Sequence, residues 1–254
     1  METFLILVLF VFINGIAGSD YCDKTLCPSG THIACGHNGD FSSKCPKDAA
    51  LINFSTPLIS TIVNGFNAKR NFIAGGGHHN HKPACRMATM QWDRELANLA
   101  ELNVRQCEMK KDACHNTKAY SNSGQNLAWM TYQKIKKPNY EKLIENSLQM
   151  WYDEVNQCKM EFIKKYPQQH TGAVIEHFTA MVGDRNNRVG CAASTYSVSN
   201  EDYNVFLMAC NFAYTNVIGQ PVYQDCPKST LECNTGRNSK YPHLCSESEE
   251  FSVK

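Results

Sequence analysis

RVGCAASTYSVSNEDYNVFLMACNF, residues 188–212, holds two ten-residue runs of small, β-branched and aromatic residues, separated by the polar stretch Ser199-Asn200-Glu201-Asp202. Two such runs flanking a short polar turn read as an antiparallel hairpin. If Val198 faces Tyr203 across the turn, counting seven residues back along each arm sets Cys191 opposite Cys210. Residues paired this way lie about 4.5 to 5.5 Å apart at Cα, within the span of a disulfide. The spacing alone therefore predicts that bridge.

Upstream of the hairpin the period changes to that of helices. Thr56-Pro57 offers a capping hydroxyl and a first-turn proline ahead of Leu58, Ile59, Ile62, Val63 and Phe66, which share one face. This helix is predicted to end near Ala74-Gly75-Gly76-Gly77. A second starts near Gln91-Trp92-Asp93, with Trp92, Leu96, Leu99 and Ala100 on one face, and a third covers roughly Tyr140 to Gln157. Helices packed on the faces of an antiparallel sheet make an α+β domain.

The ends have a different character. FLILVLFVFI, residues 4–13, is apolar but too short to span a bilayer, and Ala17-Gly18-Ser19 follows, so 1–19 reads as a secretory signal cleaved after Ser19. All 13 cysteines lie beyond it, four of them between 22 and 45 and three between 226 and 245. In an oxidising compartment they imply disulfides, and the odd count leaves at least one thiol free, capped or paired to another chain. Residues 20–55 are rich in Cys, Gly, Asp and Ser and depend on cross-links for order; 56–220 forms the main domain and 221–254 a cysteine-bearing tail. The chain has 25 Lys and Arg against 24 Asp and Glu, a balance that argues against nucleic acid or an anionic membrane as partner. Asn53-Phe54-Ser55 is the only N-glycosylation acceptor, usable if exposed.

YCDKTLC...HIAC, IVNGFNAKR, MQWDRELANLA, SGQNLAW, MWYDEV, EHFTAMVGDRNNRVGCA and YNVFLMACNF, in that order, resemble the antigen 5 branch of the superfamily of cysteine-rich secretory, antigen 5 and pathogenesis-related 1 proteins. The similarity covers nearly all of the chain after the signal, and the tail looks like that of fly members. It implies a three-layer α-β-α sandwich with a disulfide-rich N-terminal segment and tail. It also implies the pairs Cys22 with Cys35, Cys27 with Cys114, Cys45 with Cys107 and Cys191 with Cys210. Of the other five, Cys233 is expected to pair with Cys245, and Cys85, Cys158 and Cys226 stay open.

Relatives commonly set two histidines and two acids around a cleft that holds a divalent metal. The second histidine corresponds to His177 and the acid of Trp-x-x-Glu to Glu154, whereas the first histidine is here Lys111 and the other acid Gln125. An ammonium has no lone pair to give, and zinc needs at least three protein donors. Lys111 is therefore expected to stand where the cation would be, paired with Glu154, with no metal and no cofactor. His177 and Glu154 could serve a hydrolase as general base, but no nucleophile motif such as G-x-S-x-G accompanies them.

His78, His79 and His81 of GGGHHNHKP are expected in a solvated loop, since a flexible segment loses entropy in converging on an ion. Lys134, Lys136 and Lys137 form a small basic patch, expected to be solvated. Some salivary members from blood-feeding flies carry Arg-Gly-Asp; Asn38-Gly39-Asp40 lacks the arginine and reads as a tight turn. Lipid or sterol grooves in the family make a carrier the alternative function, although Leu143, Trp151 and Phe178 serve a core equally well. The leading expectation is a secreted, extracellular, monomeric, non-enzymatic effector and allergen that binds host proteins such as immunoglobulin E.

Overall fold

The computed structural model describes residues 20–168 and 172–251; the signal expected at 1–19 lies outside them. In chain order the elements are β1 (Ala50–Leu51), α1 (Thr56–Ala74), β2 (Gln91–Trp92), α2 (Arg94–Val104), β3 (Gly124–Gln133), α3 (Tyr140–Asp153), α4 (Met160–Lys164), α5 (Glu176–Val182), β4 (Arg188–Ser197) and β5 (Tyr203–Phe212). A single 3-10 turn, Glu154–Asn156, continues α3.

β4 and β5 pair in the register that the turn dictates, Cys191 opposite Cys210, with their sulfurs bonded. β3 adds to the other side of β5 along ten residues, from Gly124 against Phe212 to Gln133 against Tyr203. β1 adds antiparallel to β4, giving the order β1-β4-β5-β3, so the N-terminal segment contributes an edge strand. β2 pairs with β4 in parallel, whereas the other named strands pair antiparallel.

Side chains of β5 alternate between two cores. Phe206, Met208, Cys210 and Phe212 meet Phe66 of α1, Leu148 and Trp151 of α3 and Phe178 of α5. Val205, Leu207 and Ala209 meet Ala100 and Val104 of α2 on the opposite face. A strand covered on both sides requires apolar residues at successive positions, hence the unbroken VFLMAC. The product is an α-β-α sandwich.

Local capping sets the helix ends. Asp93 Oδ1 accepts from Leu96 N at 2.9 Å to start α2, and Asn139 Oδ1 accepts from Lys142 N at 3.0 Å to start α3. At α1 the expected Thr56 cap is absent: Thr56 is already helical, and Ser55 is the N-cap without a side-chain bond. Pro57 has no N–H for such a cap to serve.

Cys22–Cys35, Cys27–Cys114 and Cys45–Cys107 fasten the N-terminal segment, the latter two to the loop after α2. Cys85–Cys226 and Cys233–Cys245 hold the tail, and Cys158 is the remaining, buried thiol. Glu249 adds a polar clasp: its carboxylate accepts from Arg86 Nε at 2.5 Å, Asn234 N at 3.0 Å and Thr235 N at 2.8 Å. Among the described residues no helix is long and apolar enough to cross a membrane.

Candidate functional site at the start of helix α5

Glu154 reaches from the end of α3 to the first turn of α5. Its Oε1 lies 2.6 Å from His177 Nδ1, while Oε2 accepts from the backbone N–H groups of His177 at 2.9 Å and Phe178 at 3.0 Å. The helix start offers unpaired N–H donors and a positive dipole end, and the carboxylate satisfies both. Ile175, the residue at the cap position, has no side-chain oxygen to do so itself. The ring of His177 stacks parallel to Trp151 with centroids 6.4 Å apart, and Asn126 Nδ2 donates to the His177 carbonyl at 3.0 Å. His177 is thus fixed from three directions, with Nε2 toward Glu176 Oε1 at 3.9 Å.

Lys111 corrects an expectation: its ammonium lies 3.0 Å from Glu176 Oε1, and Glu176 rather than Glu154 is its ion-pair partner. Glu154 is saturated by His177 and the start of α5, which leaves the outward carboxylate of Glu176 for the cation. Gln125 is buried and turns away from this cleft. Its Nε2 donates to Asp112 Oδ2 at 2.7 Å and Asn211 Oδ1 at 2.9 Å, and its Oε1 accepts from Asp112 N at 3.0 Å.

The divalent ion that the resemblance implies does not fit this donor set. Both oxygens of Glu154 and the Nδ1 of His177 are spent, Gln125 faces elsewhere, and Lys111 places a positive charge on Glu176. Only His177 Nε2 remains, short of the three donors a catalytic zinc needs. Among the described residues Cys85, Cys226 and Glu232 do gather potential ligand atoms, but the two sulfurs are bonded to each other.

A nucleophile for acyl transfer is likewise not seen beside His177 among the described residues. Among the described residues no hydroxyl or thiol bonds to His177 Nε2. Cys158, the one free thiol, is close enough to feel the charge of Glu154, but burial first and that charge second push its pKa up to about 12. A thiol held protonated at neutral pH is a poor attacking group.

Several residues with strong structural roles were not among the expected site residues, although Asn67 and Arg70 lie in the quoted IVNGFNAKR. Arg70 is wholly buried in α1, donating to Ala88 O, to Met181 O at 2.7 Å and to Gly183 O at 2.9 Å, the carbonyls where α5 ends; burial lowers its pKa to about 9. Asn67 pairs twice with the backbone of Met90. Asp112 sits with a fully buried carboxylate among Asn103, Gln106, Gln125 and His115. Their common signal is a polar residue inside or beside an apolar helix face.

The other expected features resolve as follows. The histidine loop is not simply solvated: His81 is buried, T-shaped against Phe178 at 5.5 Å, and burial lowers its pKa to about 4. Phe178, expected to serve the core, also provides the apolar surface against which His81 packs. Lys134, Lys136 and Lys137 are all exposed, and Lys134 also donates to Val198 O and Glu201 O at the hairpin turn. At Asn38-Gly39-Asp40, Asn38 Oδ1 accepts from Asp40 N at 3.0 Å across Gly39, whose φ is +87°. Leu143, Trp151 and Phe178 lie in the core. A polar cavity of about 480 Å³ opens instead beside Asp184, Arg185, Tyr166, Tyr214 and Phe251.

A cross-linked α-β-α sandwich with a glutamate-held histidine at the start of its last helix defines a class of cysteine-rich fold. The chain belongs to the cysteine-rich secretory protein family, whose model matches residues 63–212. It is 36% identical to venom allergen-1 of Aedes albopictus, over 96% of this chain and 94% of that protein. It is 38% identical to the antigen 5 like allergen Cul n 1 of Culicoides nubeculosus, over 76% of this chain and 90% of that one. Among solved structures, NaASP2 with Zn2+ has a TM-score of 0.61 at 21% identity, covering 80% of this chain and all of the other.

Proposed function

We propose that the protein is a secreted, antigen 5-like effector that works by binding host molecules, without turnover. The observation that carries this reading is the engagement of Glu154 by the start of α5 and by His177, which leaves the family cleft without a free base pair, a metal donor set or a nucleophile. The six disulfides suit an oxidising extracellular setting, and the relatives named venom allergen-1 and antigen 5 like allergen support an allergen of insect type. Asn53 is exposed and available to carry a glycan.

The test uses the full chain secreted from insect cells. Immunoglobulin E from exposed hosts should bind the oxidised protein and lose most of that binding after reduction and alkylation. Ester or peptide turnover by the same preparation that disappears in His177→Ala would replace this reading with a hydrolase.

A further inference from the structure

The segment between α1 and β2 draws two imidazoles together. His78 Nδ1 and His81 Nδ1 stand 3.1 Å apart. We propose that His78 and His81 form a binding site for a divalent transition-metal ion that favours imidazole, separate from the family cleft at His177.

The separation itself is informative. Two nitrogens bound to one ion at about 2.0 Å lie roughly 2.9 Å apart in square-planar geometry and about 3.3 Å apart in a tetrahedron. A hydrogen bond spans the same distance, and Asn80 N also donates to His78 Nδ1 at 3.4 Å. His81 Nε2 is buried without a partner in either tautomer and stays so with an ion bound. An ion between the rings would take up both Nδ1 lone pairs and leave each Nε2 protonated. The Asn156 side chain then serves as hydrogen-bond partner of the His78 ring, in the way metal-bound histidines are oriented by a second group.

Ordering entropy, the argument against ion capture by a floppy loop, does not apply here. His81 N donates to His78 O at 2.9 Å, Gly77 N to Phe72 O at 2.9 Å and Ala84 N to Ala74 O at 3.0 Å, and Cys85–Cys226 anchors the next residues. The two ligands are fixed before an ion arrives. His79 is exposed, with its ring centroid 4.6 Å from that of His78, so rotation of its side chain supplies a third nitrogen and water completes the shell. Copper(II) heads the affinity order for nitrogen donors, with zinc below it.

The test titrates untagged, oxidised, metal-stripped full-length protein with Cu2+ and, in a second arm, Zn2+, by calorimetry, with paramagnetic resonance on the copper sample. One ion per chain is expected, with nitrogen couplings in the copper spectrum. Affinity should fall at least tenfold in His78→Ala and in His81→Gln and stay unchanged in His177→Ala. His78 is half-exposed, so His78→Ala carries the test even if the buried His81→Gln variant fails to fold; unchanged thermal melting verifies its structure. Binding of neither ion, unchanged affinity in His78→Ala, or loss in His177→Ala would overturn the site.

Discussion

Gly190 of β4 lies directly beneath the backbone of Ala97 in α2, with no room between them for a methyl group. A side chain at 190 would overlap main-chain atoms of Asp93, Leu96 and Ala97, none of which rotates aside. The sheet and α2 are held at this spacing by Ser194 Oγ, which donates to Val104 O at 2.9 Å. Gly190→Ala should therefore destabilise the fold by about 1 to 3 kcal/mol or more, read as a lowered Tm in calorimetry. An unchanged Tm would show that α2 slides freely over β4.

Glu154 makes three hydrogen bonds from one carboxylate, two of them to backbone. Glu154→Ala should cost about 2 kcal/mol in urea unfolding, and Glu154→Gln less, because an amide oxygen in the place of Oε2 still accepts from both backbone N–H groups. Equal losses in the two variants would mean that the side chain acts by packing alone.

Two carboxyl groups give the stability curve opposite slopes. Burial acts to raise the pKa of Glu249, but hydrogen bonds from Thr235, Asn234 and Arg86 outweigh it and hold the carboxyl at about 2, below its ordinary 4.5. Its contribution is present above about pH 4.5 and lost as pH falls toward 2. Asp184 is shifted the other way, burial lifting it from 3.8 to about 6, so its contribution declines as pH rises from about 4 to 6. Glu249→Gln should flatten the acid limb of stability against pH, and Asp184→Asn should remove the decline between pH 4 and 6. Curves parallel to the parent would contradict both assignments.

Six disulfides use twelve of the 13 cysteines and leave Cys158. The native protein should resist a thiol reagent at neutral pH, and the unfolded, unreduced protein should take up one equivalent. Rapid labelling of the native state would mean that the thiol is neither buried nor held protonated.

The hairpin was legible because its turn is polar and its arms are long; from those two facts the register of Cys191 and Cys210 followed. The three long helices were legible from their apolar stripes. β3 was not, because Gln125 and Asn126 point into polar pockets of the interior and break the alternation that marks a strand. α5 was too short for a helical period to register. The partner of Lys111 depends on which glutamate the start of α5 captures, a contest decided only once α3 and α5 are packed. The burial of His81 likewise depends on Phe178, distant in sequence. Local pattern revealed the scaffold, while the site turned on contacts between elements.

The bridges Cys27–Cys114, Cys45–Cys107 and Cys85–Cys226 join residues 87, 62 and 141 positions apart. A peptidase that severs a surface loop inside any of these spans leaves its two products tethered, so the nicked particle keeps its outline. Fragments separate only when a reductant accompanies the cut.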